Sequence, residues 1–221
     1  MIVFSAQDQQ MMARALTLAA KGRFTASPNP AVGCVISVQN RILGEGYTRP
    51  AGGNHAEIEA LNMAVEASGA CVYVTLEPCS HYGKTGPCVE ALISAGVARV
   101  VIASEDPNPL VSGRGIEKLK KAGIVVDCGL LEDQARQLNK GFFKRHERGI
   151  PWILVKMASS IDGRTAMASG QSQWVTTPAS RKDVQRLRAA SCAIVTGIGT
   201  QLMDDPSLTV RITAEELGVQ D

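Results

Sequence analysis

Apolar positions Met11, Met12, Ala15, Leu16, Leu18 and Ala19 recur at helical spacing and predict a first helix, with Ser5 as its cap and Gly22 as its stop. Downstream, "AVGCVISV" and "RILGEGY" flank Gln39 and Asn40 and read as a β-hairpin, entered through the rigid loop "SPNP" at 27–30. "HAEIEALNMAVEASG" predicts a helix ending at Gly69. Strand-length apolar runs then alternate with helical patterns: strand "CVYVTLE", helix "CVEALISAG", strand "ARVVIAS", helix "GIEKLKKAG" and strand "IVVDCG". A single helix is predicted over "EDQARQLNKGFFKRHERG", ended by the Gly and Pro of "GIP" at 149–151.

Alternation of this kind implies an α/β sandwich with a mixed sheet. A boundary at "GIP" divides the chain into domains 1–148 and 149–221. The second holds "WILVKMASS" as a strand, "TPASRKDVQRLRAAS" as a helix with Pro178 in its first turn, and "CAIVTGIG" as a strand. With about 70 residues and few elements, it reads as part of a domain. Its incompletely covered surface leaves room for a homo-oligomer.

Composition narrows the function classes. The 221 residues are 45% apolar, ample for a core, and the net charge is only +2 with basic residues scattered, so no nucleic-acid-binding stripe is expected. No apolar run approaches the 18 or so residues that cross a bilayer, so no membrane partner is expected. Asp8, Arg14 and Lys21 interrupt the N-terminal stretch, which therefore lacks a signal-peptide core. The expected location is the cytoplasm, where closely placed Cys and His mean metal or catalysis more often than disulfides.

Three residues stand out chemically. His55, Cys79 and Cys88 supply the soft donors that zinc prefers, in the number a catalytic zinc takes while keeping one position open. His55 is expected in the first turn of its helix, and Pro87 sets the start of the next helix at Cys88, where the dipole favours a thiolate. Glu57, two residues after His55, is placed to move protons rather than to bind metal. This is the His-x-Glu and Pro-Cys pattern of zinc deaminases, except that eight residues separate the cysteines of "PCSHYGKTGPC". Such an insertion must loop over the metal, which makes His81, Lys84 and Thr85 candidate substrate contacts.

The series "SPNPAVGCV", "HAE", "TLEPCSHYGKTGPC", "DPNP", "GRGI", "LNKGFF", "SSIDGRTA", "SGQSQWVT" and "DDPSLTVR" resembles, in order, the bacterial bifunctional riboflavin biosynthesis family, a pyrimidine deaminase joined to a reductase. The resemblance implies a cytidine-deaminase-like α/β/α sandwich followed by a partial dihydrofolate-reductase-like α/β domain. It implies a phosphorylated pyrimidine substrate, 2,5-diamino-6-(5-phosphoribosylamino)pyrimidin-4-one, deaminated hydrolytically to the aminouracil. Carried over, the zinc ligands fall on His55, Cys79 and Cys88, the proton shuttle on Glu57, and substrate contacts on Asn29, His81, Lys84 and Thr85. For the reductase the resemblance implies NADPH at Ala158, Trp174, Thr200 and Asp204, and substrate at Ser172, Arg188, Leu208 and Arg211. The chain stops where the family's reductase continues, so an incomplete reductase is expected. Thr48 stands where the family has a histidine, with Arg49 the candidate replacement for its contact; Gly86 stands where it usually has proline.

Blander readings compete. The zinc set could be structural, closed by His81, although such a site has no need of Glu57. Asn29 could be a turn residue, Trp174 packing, and the helix arginines a solvated face. Cys34, Cys71, Cys128 and Cys192 read as small buried hydrophobes, and His146 as part of a charged helix end. The rival functions are deamination of cytidine or an RNA base, and a non-catalytic zinc-held interaction module.

Overall fold

The structure, a computed structural model, describes residues 3–82, 86–109 and 111–219. The chain divides into two compact units, one through Trp152 and one from Ile153 onward.

In the first unit, helix α1 (Ala6–Lys21) begins at a capping box in which Ser5 and Asp8 satisfy each other's amides, and it ends at Gly22. The hairpin forms from β1 (Gly33–Val38) and β2 (Arg41–Tyr47), and its turn residues Gln39 and Asn40 both have positive φ, as a tight hairpin turn requires. Helix α2 (Ala56–Met63) follows, then β3 (Cys71–Val74), α3 (Cys88–Ser94), β4 (Arg99–Ile102), α4 (Arg114–Lys121) and β5 (Val125–Cys128). Helices α5 (Glu132–Leu138) and α6 (Lys140–Arg148) complete the unit.

The sheet order is β2-β1-β3-β4-β5, antiparallel across β2, β1 and β3 and parallel from β3 to β5. Its period-two pattern serves two buried faces. Cys34, Ile36, Val72, Val74, Val100 and Ile102 face the core shared with Ala56, Ala60, Val89, Leu92, Leu119 and Phe143. Val35, Tyr73 and Val101 face the core under Met11, Met12, Ala15 and Leu18 of α1 and Ala135 of α5. Helices thus cover both sides of a mixed sheet, the three-layer α/β arrangement expected from the alternation.

Two glycines set how closely α2 lies on the sheet. A Cβ at Gly44 would sit 2.1 Å from the Ala60 carbonyl oxygen, and one at Gly46 would sit 2.2 Å from that of Ala56. Only hydrogens at both positions let β2 accept the helix that begins beside His55.

Three expectations need correcting. Helix α2 stops at Met63, not Gly69, because the backbone turns extended at Ala64, Ala67 enters the core and the Gly69 amide bonds the Gly96 carbonyl at 2.9 Å. The last helix is two, broken at Asn139, whose buried side chain is held by Ala31. In the second unit "WILVKMASS" and "CAIVTGIG" form no strand among the described residues: a strand is defined by its partner, and none pairs with them there.

That unit consists of α7 (Pro178–Ala189), α8 (Ile198–Asp204) and α9 (Ala214–Leu217) with connecting chain. Pro178 opens α7 and Thr177 caps it. Ile153, Val155, Met157 and Ile161 are exposed. No helix of the described residues is long and apolar enough to cross a membrane.

Candidate metal centre and substrate cavity

His55 occupies the N-cap position of α2 rather than its first turn, in extended conformation, which turns its ring off the helix. Cys79 lies on the loop after β3, and Cys88 is the first residue of α3, with Pro87 before it. His55 Nδ1 is 3.6 Å from Cys79 Sγ and 3.3 Å from Cys88 Sγ, and the three ligand atoms lie within 4.8 Å of one another. Zinc bonded to nitrogen and thiolate at its usual lengths and a tetrahedral angle separates those atoms by about 3.6 Å. The residues therefore fit a zinc ion with one position left for another ligand.

Electrostatics agree with that fit. The Cys88 side chain and backbone amide both hydrogen-bond Cys79, the amide at 3.3 Å, and with His55 they lower the Cys79 thiol well below the ordinary thiol range. The same Cys79 contact, with burial and Glu57 behind it, pushes the Cys88 thiol upward. The His55 hydrogen bond with Cys79 raises the imidazole.

Glu57 is the second residue of α2 and only 4% exposed. Burial, then the charge of Cys79, raises its carboxyl to about 7. A cation in the site would draw it back down. The place of Glu57 beside the ligands, in a buried setting, suits a group that takes up and gives back a proton.

A cavity of about 370 Å³ opens over these groups. His55, Glu57 and Cys79 form part of its lining, and Asn29 and His81 lie on its wall. Lys84 and Thr85 lie outside the described residues. Thr48 also reaches the cavity, but its hydroxyl accepts from the Val32 amide at 3.0 Å and donates to the Val32 carbonyl at 3.4 Å, so it braces the "PNPAV" loop. Arg49 does not replace the missing histidine. Its guanidinium pairs with Glu59 at 2.8 Å, bonds the Tyr47 hydroxyl at 2.9 Å and stacks on that ring.

Sequence reasoning missed Glu77, Asp106 and Asn108, which line the same cavity. The signal was present: "DPNP" repeats the Pro-flanked asparagine of "SPNP", and Glu77 stands in "TLEPC" two residues before a ligand. The remaining cysteines divide: Cys34 is buried, Cys71 and Cys128 are half-buried, and Cys192 is exposed, contrary to expectation, because its apolar segment has no sheet to enter. His146 closes α6 and packs on Phe142.

In the second unit a separate open cavity of about 500 Å³ is lined by Trp174, Arg188 and Arg211, among others. Ala158, Ser172, Thr200, Asp204 and Leu208 are not part of that lining. Arg188 donates to the carbonyls of Ser207 and Thr209, both at 3.0 Å, Arg211 donates to Ser207 at 2.8 Å, and Arg181 stacks on Trp174.

Residues 5–104 match the family described as the cytidine and deoxycytidylate deaminase zinc-binding region, and residues 151–218 match the RibD C-terminal domain. Over 206 residues, 93% of this chain and 56% of the relative, the sequence is 61% identical to the riboflavin biosynthesis protein RibD of Escherichia coli. The chain is thus similar to RibD along nearly its whole length. It spans about half the length of the curated relatives it matches. RibD of Acinetobacter baumannii is 54% identical with a TM-score of 0.89, over 93% of this chain and 58% of that one. A Thermotoga maritima diaminohydroxyphosphoribosylaminopyrimidine deaminase/5-amino-6-(5-phosphoribosylamino)uracil reductase is 40% identical with a TM-score of 0.89, over 93% of this chain and 60% of that one.

Proposed function

We propose that the chain performs the deaminase reaction of riboflavin biosynthesis, converting 2,5-diamino-6-(5-phosphoribosylamino)pyrimidin-4-one and water into the aminouracil and ammonia. The observation that carries this reading is a buried Glu57 beside a His55, Cys79 and Cys88 set, with Glu57, His55 and Cys79 lining one cavity. His55, Cys79 and Cys88 would hold zinc, which when bound supplies a Lewis acid that brings the pKa of water to about 7.

The rest is the work of this chain's side chains. Glu57 accepts one proton of the attacking water and delivers it to the ring nitrogen next to the amine-bearing carbon, then takes the remaining proton of that oxygen as the carbonyl forms and passes it to the amine, which leaves as ammonia. Burial shields that carboxyl from bulk water and strengthens its hold on a proton, which suits a proton carrier. Asn29, Asp106 and Asn108 line the cavity and can read the polar edge of a pyrimidine, and the cavity has room for a single base. His81 stands on the wall, with Lys84 and Thr85 as proposed partners for the ribose phosphate.

For the reductase half, the match of residues 151–218 points to NADPH. Of the four cofactor positions, Trp174 lines the cavity of that unit. A cytoplasmic setting, a small-molecule substrate without nucleic acid or membrane, and a homo-oligomer belong to the same proposal.

The test is a comparison of substrates. Zinc-loaded chain is incubated with the diaminopyrimidine ribose phosphate, cytidine and deoxycytidylate, and ammonia is measured. Release from the first alone supports the reading. Release from cytidine or deoxycytidylate and none from the first would replace it with a general cytidine deaminase.

A further inference from the structure

We infer that Glu77 is a positioning residue for the deaminase site, one that holds the Asp106–Asn108 wall of the cavity in place against the Cys79 loop; the inference rests on the deaminase reading above. Glu77 is only 4% exposed, and its carboxylate is met by backbone amides. One oxygen accepts from the amides of Asp106 at 3.2 Å and Gly113 at 3.0 Å, and the other from those of Gly115 at 2.8 Å and Ile116 at 3.2 Å. Four donors match the acceptor capacity of the two oxygens.

The geometry joins three elements. Gly115 and Ile116 are the second and third residues of α4, whose N-cap position is Gly113, a residue with no side chain to satisfy them. Glu77 caps that helix from the loop after β3, and its negative charge suits the helix N-terminus. Its own amide donates to the Ser104 carbonyl at 3.0 Å, beyond β4. A Cβ at Gly115 would lie 2.3 Å from the Pro78 carbonyl oxygen and 3.0 Å from Glu77 Oε1, so the approach is as close as glycine allows.

Asp106 is tied to Asn108 by a 2.8 Å bond from the Asn108 amide to its carboxylate. Whatever moves the Asp106 amide therefore moves both wall residues together. Glu77 thus fixes the distance between a metal-ligand loop and the wall that faces it, without being required for proton transfer.

Glu77→Gln keeps the size but turns one oxygen into an NH₂ group that faces two amide donors, so two of the four hydrogen bonds are lost. The expected result in zinc-loaded protein is a KM about tenfold higher, kcat within about threefold of the parent and unchanged zinc per chain. Asn108→Ala is expected to raise KM as well, and Glu77→Gln combined with it to raise KM little beyond the larger single effect, because both act through one wall. Independent, multiplying effects would overturn the inference, as would a fall in kcat at unchanged KM or a loss of zinc. Hydrogen exchange on the parent protein decides the clamp even if the variant does not fold. The loop amides of Asp106 and Gly113 are expected to exchange as slowly as those of Gly115 and Ile116, and fast exchange at Asp106 and Gly113 would sink it. Absence of ammonia from the parent protein, by contrast, would strike the deaminase reading and leave the exchange result to judge the clamp.

Discussion

Asn139 shows how much a single side chain decides in this molecule. Its carbonyl oxygen accepts from the Ala31 amide at 2.8 Å and its amide donates to the Ala31 carbonyl at 2.9 Å, across 108 residues of sequence, fixing the loop that carries Asn29. Asn139→Leu keeps the branched shape but strands both backbone groups in a buried place, and is expected to cost about 3 kcal/mol in denaturant unfolding. A loss below about 1 kcal/mol would mean that the loop relaxes freely or that water replaces the contact. Arg49→Ala tests the opposite case. Because its guanidinium is spent on Glu59 and Tyr47 at the surface, substrate KM is expected to stay within about twofold and stability within about 1 kcal/mol. His55, Glu57, Cys79 and Cys88 are legible in the sequence because each side chain carries its own chemistry at short spacing. Glu77, Asp106 and Asn139 are not, because what they do is set by backbone groups that only the fold brings to them.

Elements were legible where local pattern and burial agree. The first helix and the hairpin run to their expected ends because Ser5, Gly22, Gln39 and Asn40 specify them locally. Helices that depart from expectation, α2 and the α5 and α6 pair, are cut by tertiary contacts at Gly69 and Asn139 that no periodicity records. An element junction also carries a pH dependence. Asp8 of α1 meets Arg99 of β4 at 2.6 Å and the Tyr73 hydroxyl of β3 at 2.9 Å. Burial alone would raise the Asp8 carboxyl, but the hydrogen bonds from Arg99, Ser5 and Tyr73 outweigh it and hold it at about 2, below its ordinary 3.8. A lowered folded-state pKa stabilises above the unfolded value and loses that contribution as pH falls through the folded one. Stability is therefore expected to drop by about 2 kcal/mol between roughly pH 4 and pH 2. Asp8→Asn should flatten that acid limb in urea titrations; an unchanged slope would show that the pair is not linked to folding.

At the scale of the whole molecule, the first unit is a two-faced sheet with its cavity at the ends of β1 and β3, and the second is three helices with exposed apolar chain. The α/β class follows from alternation alone, whereas the strands expected in the second unit need ladder partners that no local pattern can supply. Zinc held by His55, Cys79 and Cys88 would tie α2, the β3 loop and α3 together. Its removal by a chelator is expected to lower the melting temperature by several degrees, since a ligand held at about 100 times its Kd contributes about 2.7 kcal/mol. An unchanged transition would mean that the three ligands bind no metal in the folded chain.

Ammonia release and zinc content, measured side by side on the parent chain and on Glu57→Gln with the diaminopyrimidine ribose phosphate, is the most direct experiment. A zinc-bearing, ammonia-releasing parent and a variant with equal zinc and turnover lower by at least about a hundredfold is the result required by a buried proton carrier beside the metal ligands. Full turnover in the zinc-replete variant, or no ammonia from the zinc-replete parent, would contradict it.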